Sequence, residues 1–352
     1  MKKTNGKGFV MAVKRVTMQD IAAACGLSRN TVSKVFNERG SVPEGTRRLV
    51  LAKARELGYH HQPLEETPAE RPGGGHIAVL TQHKLLSHSF GAFFITSFTD
   101  QLSRSGYTMK MFELSPEEIA AKALPPHLHL EETAGLLVIE LFDRDYLDRI
   151  CALQKPTVFV DGHARASLEP IRCDCVSMEN VASETVLVRQ MIDAGARRIG
   201  FVGDREHCCS FHERWIGYCM ALEDAGLARD PALCILEKDS ESYGDTEWLL
   251  EKLRAMPALP DGFACANDYL AIHLMSALKK LGLSIPGDVM VTGFDGTLEA
   301  GMITPTLSTA RIPSHEIGRL AASLLSNRIR SPEEPFRWTY VKTTPITGES
   351  VR

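Results

Sequence analysis

From His76 onward the chain alternates short apolar runs with longer amphipathic stretches, and this alternation limits the fold more than any other feature. The runs fall at 76–81, 135–141, 156–160, 198–203, 262–266 and 288–294, typified by Ile77-Ala78-Val79-Leu80 and Leu136-Leu137-Val138-Ile139. Short and apolar at consecutive positions, they suit strands covered on both faces. Helices are predicted between them over 90–105, 144–153, 179–194, 212–226, 246–256, 268–282 and 314–329. Strand–helix alternation of this kind builds parallel sheets with helices on both sides. So long a stretch exceeds one core, so two α/β subdomains are expected, one of about 76–161 and 295–323, the other of about 162–294 and 324–352. Such folds bind ligands at the carboxyl ends of their strands, here between the subdomains.

Residues 16–60 carry a different, all-helical pattern. Thr17 precedes Met18–Cys25 with Asp20 three positions on, a variant of the capping box. Gly26 supplies a left-handed helix end, Leu27 an apolar plug, and Ser28 a cap for a second helix over 29–36. Ile21, Leu27, Val32 and Val35 can share a small core, closed by a third helix at about 44–57. Two short helices joined by such a turn form a helix-turn-helix. The second helix leaves Arg29, Asn30, Thr31, Ser33 and Lys34 on its polar side, where Arg and Asn suit base edges and Thr, Ser and Lys suit phosphates. Charge agrees: the first 60 residues hold 12 Lys+Arg against 4 Asp+Glu, and the other 292 hold 28 against 40. A basic head on an acidic body points to a polyanion partner for the head alone.

The remaining segments mostly exclude. Residues 1–15 are expected to be a disordered basic arm. Residues 61–75, with Pro63, Pro68, Pro72 and Gly73-Gly74-Gly75, read as a linker. No apolar run reaches the ~18 residues of a membrane span, and no secretory signal is apparent, so a cytoplasmic, nucleoid-associated location is expected. An odd count of nine cysteines suits reduced thiols. No nucleophile-elbow, Walker or dinucleotide fingerprint marks an enzyme. His207-Cys208-Cys209-Ser210-Phe211-His212 matches no zinc spacing. Cys173 and Cys175 are expected on opposite faces of a strand, sharing no ligand. No metal or cofactor is therefore expected.

Residues 16–37, from Val16-Thr17-Met18-Gln19-Asp20-Ile21-Ala22 through Gly26-Leu27-Ser28 to Thr31-Val32-Ser33-Lys34-Val35-Phe36-Asn37, resemble the N-terminal signature of the LacI/GalR (lac repressor) family. Glu44, Thr46, Arg47 and Leu57-Gly58-Tyr59 extend the match. The resemblance implies DNA binding through Thr17, Gln19, Arg29, Asn30, Thr31, Ser33, Lys34 and Asn37. Arg29 and Asn30 fall where the family reads bases, with Lys34 one turn later; Thr17, Thr31, Ser33 and Asn37 fall where it touches the backbone. The family's hinge, in which a leucine wedges into the minor groove, is not reproduced. Glu65-Glu66 replace its Ala-Arg pair and Pro68 its leucine, so an atypical hinge or flexible tether is expected, with Leu64 as the one displaced wedge candidate.

The body resembles the same family's periplasmic-binding-protein-like effector domain. Arg214-Trp215-Ile216-Gly217-Tyr218, Ala266-Asn267-Asp268 and Gly293-Phe294-Asp295 with Pro305 and Leu307 carry that likeness. It implies an effector site formed by Ser89, Phe90, Asp161, Arg214, Trp215, Asn267 and Asp295, with Asp268 as helix cap and Trp215 either at the ligand or in the core. Arg donors and Asp acceptors suit a hydroxylated ligand. The resemblance thus implies a multidomain chain, an all-α head joined to an α/β effector domain of two parallel-sheet subdomains. Its expected function is a ligand-responsive repressor, a homodimer on a pseudopalindromic DNA operator, controlled by a sugar-like or nucleoside effector. A chain ending without leucine heptads leads us to expect a dimer rather than a tetramer. Alternatives are a regulator of this family without effector response and an extracytoplasmic-type solute-binding protein.

Overall fold

Thr17 closes the first helix as its sequence requires: its amide donates to Asp20 Oδ2 (2.7 Å) and its Oγ1 accepts from the Asp20 amide (3.4 Å). In this computed structural model, residues 17–37, 42–57, 75–82, 89–168, 171–238 and 242–352 are described. The basic arm, residues 61–74 of the linker and Leu64 lie outside them. The chain divides into two units, residues 1–71 and 72–352. In the first, α1 (Met18–Cys25) ends at Gly26, whose φ of 65° is the left-handed turn read from the sequence. Ser28 Oγ then accepts from the Thr31 amide (3.0 Å) and starts α2 (Arg29–Asn37). Helix α3 (Glu44–Glu56) closes a core of Ile21, Ala22, Val32, Val35, Val50 and Ala54. Arg47 reaches from α3 to donate to the Val35 carbonyl (3.0 Å), fixing the end of α2.

The second unit opens with β1 (His76–Thr81), α4 (Ser89–Arg104), β2 (Thr108–Glu113), α5 (Pro116–Ala120), β3 (Thr133–Ile139), α6 (Arg144–Cys151), β4 (Thr157–Val160) and β5 (Asp174–Met178). There follow α7 (Val181–Asp193), β6 (Ile199–Val202), α8 (Cys209–Asp224), α9 (Thr246–Ala255), β7 (Gly262–Cys265), α10 (Asp268–Lys280) and β8 (Met290–Thr292). Last come β9 (Thr309–Arg311), α11 (Ser314–Arg330), β10 (Trp338–Val341) and β11 (Thr344–Ile346). One parallel sheet has the order β10-β5-β4-β3-β1-β2, a second the order β6-β7-β8, and β9 pairs with β11. Strand β1 shows why the apolar runs are continuous. Ile77 and Val79 enter the core on one side of the sheet, Ala78 and Leu80 the core on the other.

Two expectations are corrected. Strand β5, the second half of α11 and β10 belong to the first sheet's layer, so that subdomain runs through Met178 and also takes residues 324–341. The reason is a buried ion pair: Arg328 Nε and Nη2 donate to Asp174 Oδ2 (2.8 Å) and Oδ1 (3.0 Å), locking the end of α11 to the start of β5. Cys173 and Cys175 lie in one core cluster, not on opposite faces, as residues two apart along an extended chain must.

Candidate functional site

On the head, α2 turns Val32 and Val35 inward and leaves Arg29, Asn30 and Lys34 exposed. Asn30 and Lys34 are four apart, as are Arg29 and Ser33, so the four side chains form two adjacent rows on one helix surface. Thr31, half-buried, shares a hydrogen bond with Ser28 Oγ (2.8 Å), which draws its hydroxyl back into the turn. Gln19 is exposed on α1, and Thr17 carries the cap. The side chain of Asn37 lies outside the described residues. An exposed helix face with Arg, Asn and Lys at helical spacing can enter a major groove and donate to base edges.

In the second unit a cavity of about 460 Å³ opens at the carboxyl ends of β3, β4 and β8. Its polar wall includes Asp161, Arg214, Asn267 and Asp295, and Phe90 lines it as well. The side chain of Ser89 lies outside the described residues, although Ser89 begins α4. Arg214 is the centre of the wall. Its Nε donates to Asn180 Oδ1 (3.0 Å) and its Nη1 to the Ala266 carbonyl (2.6 Å) and Asp295 Oδ1 (3.2 Å). The guanidinium lies 3.9 Å from the centre of the Phe294 ring. Asp161 sits just after β4 with φ of 62° and accepts from the Ser210 amide at the start of α8 (3.1 Å). Burial raises its pKa, and the Ser210 side chain and the charge of Arg214 oppose the shift. Asp295 adopts φ of 123°, a conformation disfavoured for any residue with a Cβ. Such conformations gather at binding sites held by their surroundings.

Two assignments change. Asn267, not Asp268, caps α10: its Oδ1 accepts from the Leu270 amide (2.9 Å) while the residue lines the cavity. Asp268 is buried beneath, accepting from Thr309 Oγ1 (2.6 Å), the Thr297 amide (2.8 Å) and Thr297 Oγ1 (3.0 Å). It ties α10 to β9, and burial raises its pKa. Trp215 does not line the cavity. It packs against Phe201 (5.4 Å between ring centres) and Tyr218 (5.3 Å), because one residue beyond Arg214 the helix has turned roughly 100°.

Sequence reasoning missed the support behind Arg214. Glu213 accepts from Tyr340 Oη on β10 (2.6 Å) and from Asn180 Nδ2 (2.8 Å). It thereby orients the amide whose oxygen holds Arg214. Glu140, Phe142, His207 and Tyr269 also line the cavity. Glu140 lies near the end of the predicted run 135–141, just after β3, so the rule placing ligands at strand carboxyl ends could have found it. Among the described residues no group of three or more His, Cys, Asp or Glu side chains is placed to hold a metal ion. No helix among them is long and apolar enough to cross a membrane.

A helix-turn-helix head followed by a cleft between two parallel-sheet layers defines a class, the DNA-binding transcriptional regulators that carry a periplasmic-binding-protein-like domain. The comparisons agree. Residues 17–62 match the model for bacterial regulatory proteins of the lacI family, and residues 188–351 that for a periplasmic binding protein-like domain. The chain is 28% identical to the HTH-type transcriptional regulator GalR of Streptococcus thermophilus, over 90% of this chain and 94% of that protein. It is 26% identical to the ribose operon repressor of Haemophilus influenzae, over 95% and 98%. Its fold matches that of the regulator CelR in complex with cellobiose (TM-score 0.69, 23% identity, 96% of this chain and 100% of that one). It also matches the lac repressor dimer bound to operator and the anti-inducer ONPF (TM-score 0.68, 20% identity, the same coverage). The chain thus carries a lacI-family DNA-binding head and a periplasmic-binding-protein-like domain, and along nearly its whole length it is similar to LacI-family transcriptional regulators.

Proposed function

We propose that this protein is a cytoplasmic repressor, acting as a homodimer on a pseudopalindromic operator and released or engaged by a small hydroxylated effector. The observation that carries the reading is the pair of buried Arg214 and partly exposed Asp295, beside the cap Asn267 in one cavity. A ligand hydroxyl can accept from Arg214 or Asn267 and donate to Asp295 or Asp161, an exchange that suits polyols better than apolar molecules. Ser89 and Phe90 complete the effector site in this reading, and Trp215 is left out of it. The similar proteins add support: the regulator CelR is seen in complex with cellobiose, and another relative is a ribose operon repressor. On the operator side, Arg29 and Asn30 read bases, Lys34 follows one turn later, and Thr17, Gln19, Thr31, Ser33 and Asn37 hold the backbone.

The test is calorimetry and thermal shift on the full chain with a panel of monosaccharides, disaccharides and nucleosides. A binder should raise the melting temperature with concentration, as mass action demands. Asp295→Ala should lose that shift while operator binding persists. A panel without binders, on protein that binds operator normally, would leave a regulator without effector response. Monomeric protein bound to a single half-site would refute the dimer.

A further inference from the structure

The effector-binding unit holds a second constellation, remote in the fold from the cleft. Cys151 ends α6, and Cys173 lies just before β5. Their sulfurs are 2.9 Å apart, the one thiol–thiol contact among the described residues. Both line a cavity of about 530 Å³, together with Lys155, Arg172 and Phe336. Pro156 and Thr157, at the start of β4, share this wall, so the cavity opens at the amino ends of the strands, opposite to the effector cleft. Cys151 is half-buried and Cys173 buried. The pair therefore has an outer sulfur that a reagent in the cavity can meet and an inner one directly behind it. From these positions we propose that Cys151 and Cys173 form a dithiol centre that reacts with small disulfides such as glutathione disulfide, Cys151 attacking and Cys173 resolving.

The steps balance. The Cys151 thiolate attacks one sulfur of the small disulfide, forming a mixed disulfide and expelling one small thiolate. Cys173 then gives up its proton and attacks Cys151 Sγ, expelling the second. The two cysteine thiols are oxidised to one disulfide, and the small disulfide is reduced to two thiols. Two features favour this order. Lys155 and Arg172 are cations on the wall, suited to the carboxylates of an anionic disulfide. The hydrogen bond with Cys173 lowers the pKa of Cys151, whereas that same bond and then burial raise that of Cys173. The other cysteines have no sulfur neighbour at this distance among the described residues. Cys175, in the same core, is fully buried.

The experiment treats the native full-length protein with glutathione disulfide, then alkylates remaining thiols and maps peptides by mass spectrometry. The expected product is a Cys151–Cys173 cross-link formed at least ten times faster than modification of any other cysteine. In Cys173→Ser, the mixed disulfide should persist on Cys151. In Cys151→Ser, Cys173 should stay unmodified while the protein is folded, as circular dichroism would verify. The proposal fails if Cys151 and Cys173 remain alkylatable in the folded protein after treatment. It fails equally if Cys173→Ser accumulates no adduct, or if the cross-link forms only in denaturant.

Discussion

Glu184 of α7 is fully buried, and among the described residues neither of its carboxyl oxygens has a hydrogen-bond partner. It sits against Gly217 of α8, where a Cβ would come within 2.8 Å of the Glu184 Cβ. Burial pushes its pKa from 4.5 up to about 8, and the charge of Arg214 opposes only part of that shift. The native state therefore holds a proton that the unfolded chain releases above pH 4.5. Protons bound in the native state but not the unfolded one make stability fall as pH rises, here from about 4.5 until the native group itself ionises near 8. At about 1.4 kcal/mol per pH unit, the accumulated loss is roughly 3 kcal/mol at pH 7 and nears a ceiling of about 5 by pH 9. Glu184→Gln keeps the shape and the unpaired polar end but removes the ionisation. The variant should match wild type near pH 4.5, exceed it by roughly 3 kcal/mol at pH 7, and exceed it by somewhat more at pH 9. Denaturant unfolding of both proteins at these three pH values, followed by tryptophan fluorescence, measures the difference. Two stability curves that run parallel with pH would refute the reasoning, because then no proton is held at Glu184.

Three further outcomes are expected. Arg29→Ala should weaken operator binding by about 1–3 kcal/mol and relax preference at one base pair per half-site, read by binding to a set of operator variants; unchanged preference in an Arg29→Ala, Asn30→Ala double variant would remove α2 from base reading. Asp174→Asn leaves Arg328 buried without its counter-charge and should cost about 3–5 kcal/mol of stability by denaturant unfolding; a loss below about 1 kcal/mol would mean that the pair does not lock α11 to β5. Trp215→Ala should cost about 3–5 kcal/mol by the same measure, while calorimetry on the surviving folded protein finds the affinity of any panel ligand unchanged; a lost ligand affinity would return Trp215 to the cleft.

The parts of the fold that could be read from sequence are those whose cause is local. Strands β1, β3 and β4 are buried on both faces, so their apolar runs are unbroken. Edge strand β2 is mostly exposed, with only two partly covered positions, and β5 interrupts its run with buried Asp174 and Ser177, so neither stands out. Their polar groups are satisfied from far along the chain, by Arg328 and by Trp338 Nε1 (3.2 Å). The cap and turn of the head were legible for the same local reason, since Thr17, Gly26 and Ser28 act within a few residues of themselves.

The candidate site in the cleft was legible only in its motifs. Arg214, Asn267 and Asp295 stand in recognisable strings, but what aims Arg214 does not. The chain crosses between the two sheet layers after β5, between β8 and β9, and after β10. Asn180 lies on the first crossing, Asp295 on the second, and Tyr340 just before the third. Arg214 itself rides on α8, which packs against α7 over the second sheet. Its Nε is held by Asn180, and Asn180 is aimed by Glu213, which Tyr340 holds from the first sheet. The guanidinium thus takes its direction from strand ends of one layer while belonging to the other. A rotation of the layers that moves Tyr340 or Asn180 relative to α8 has to break or re-form those bonds. Ligand contact at Arg214 and the relative setting of the layers are therefore energetically linked, which is the condition any effector must meet to shift an equilibrium between two arrangements.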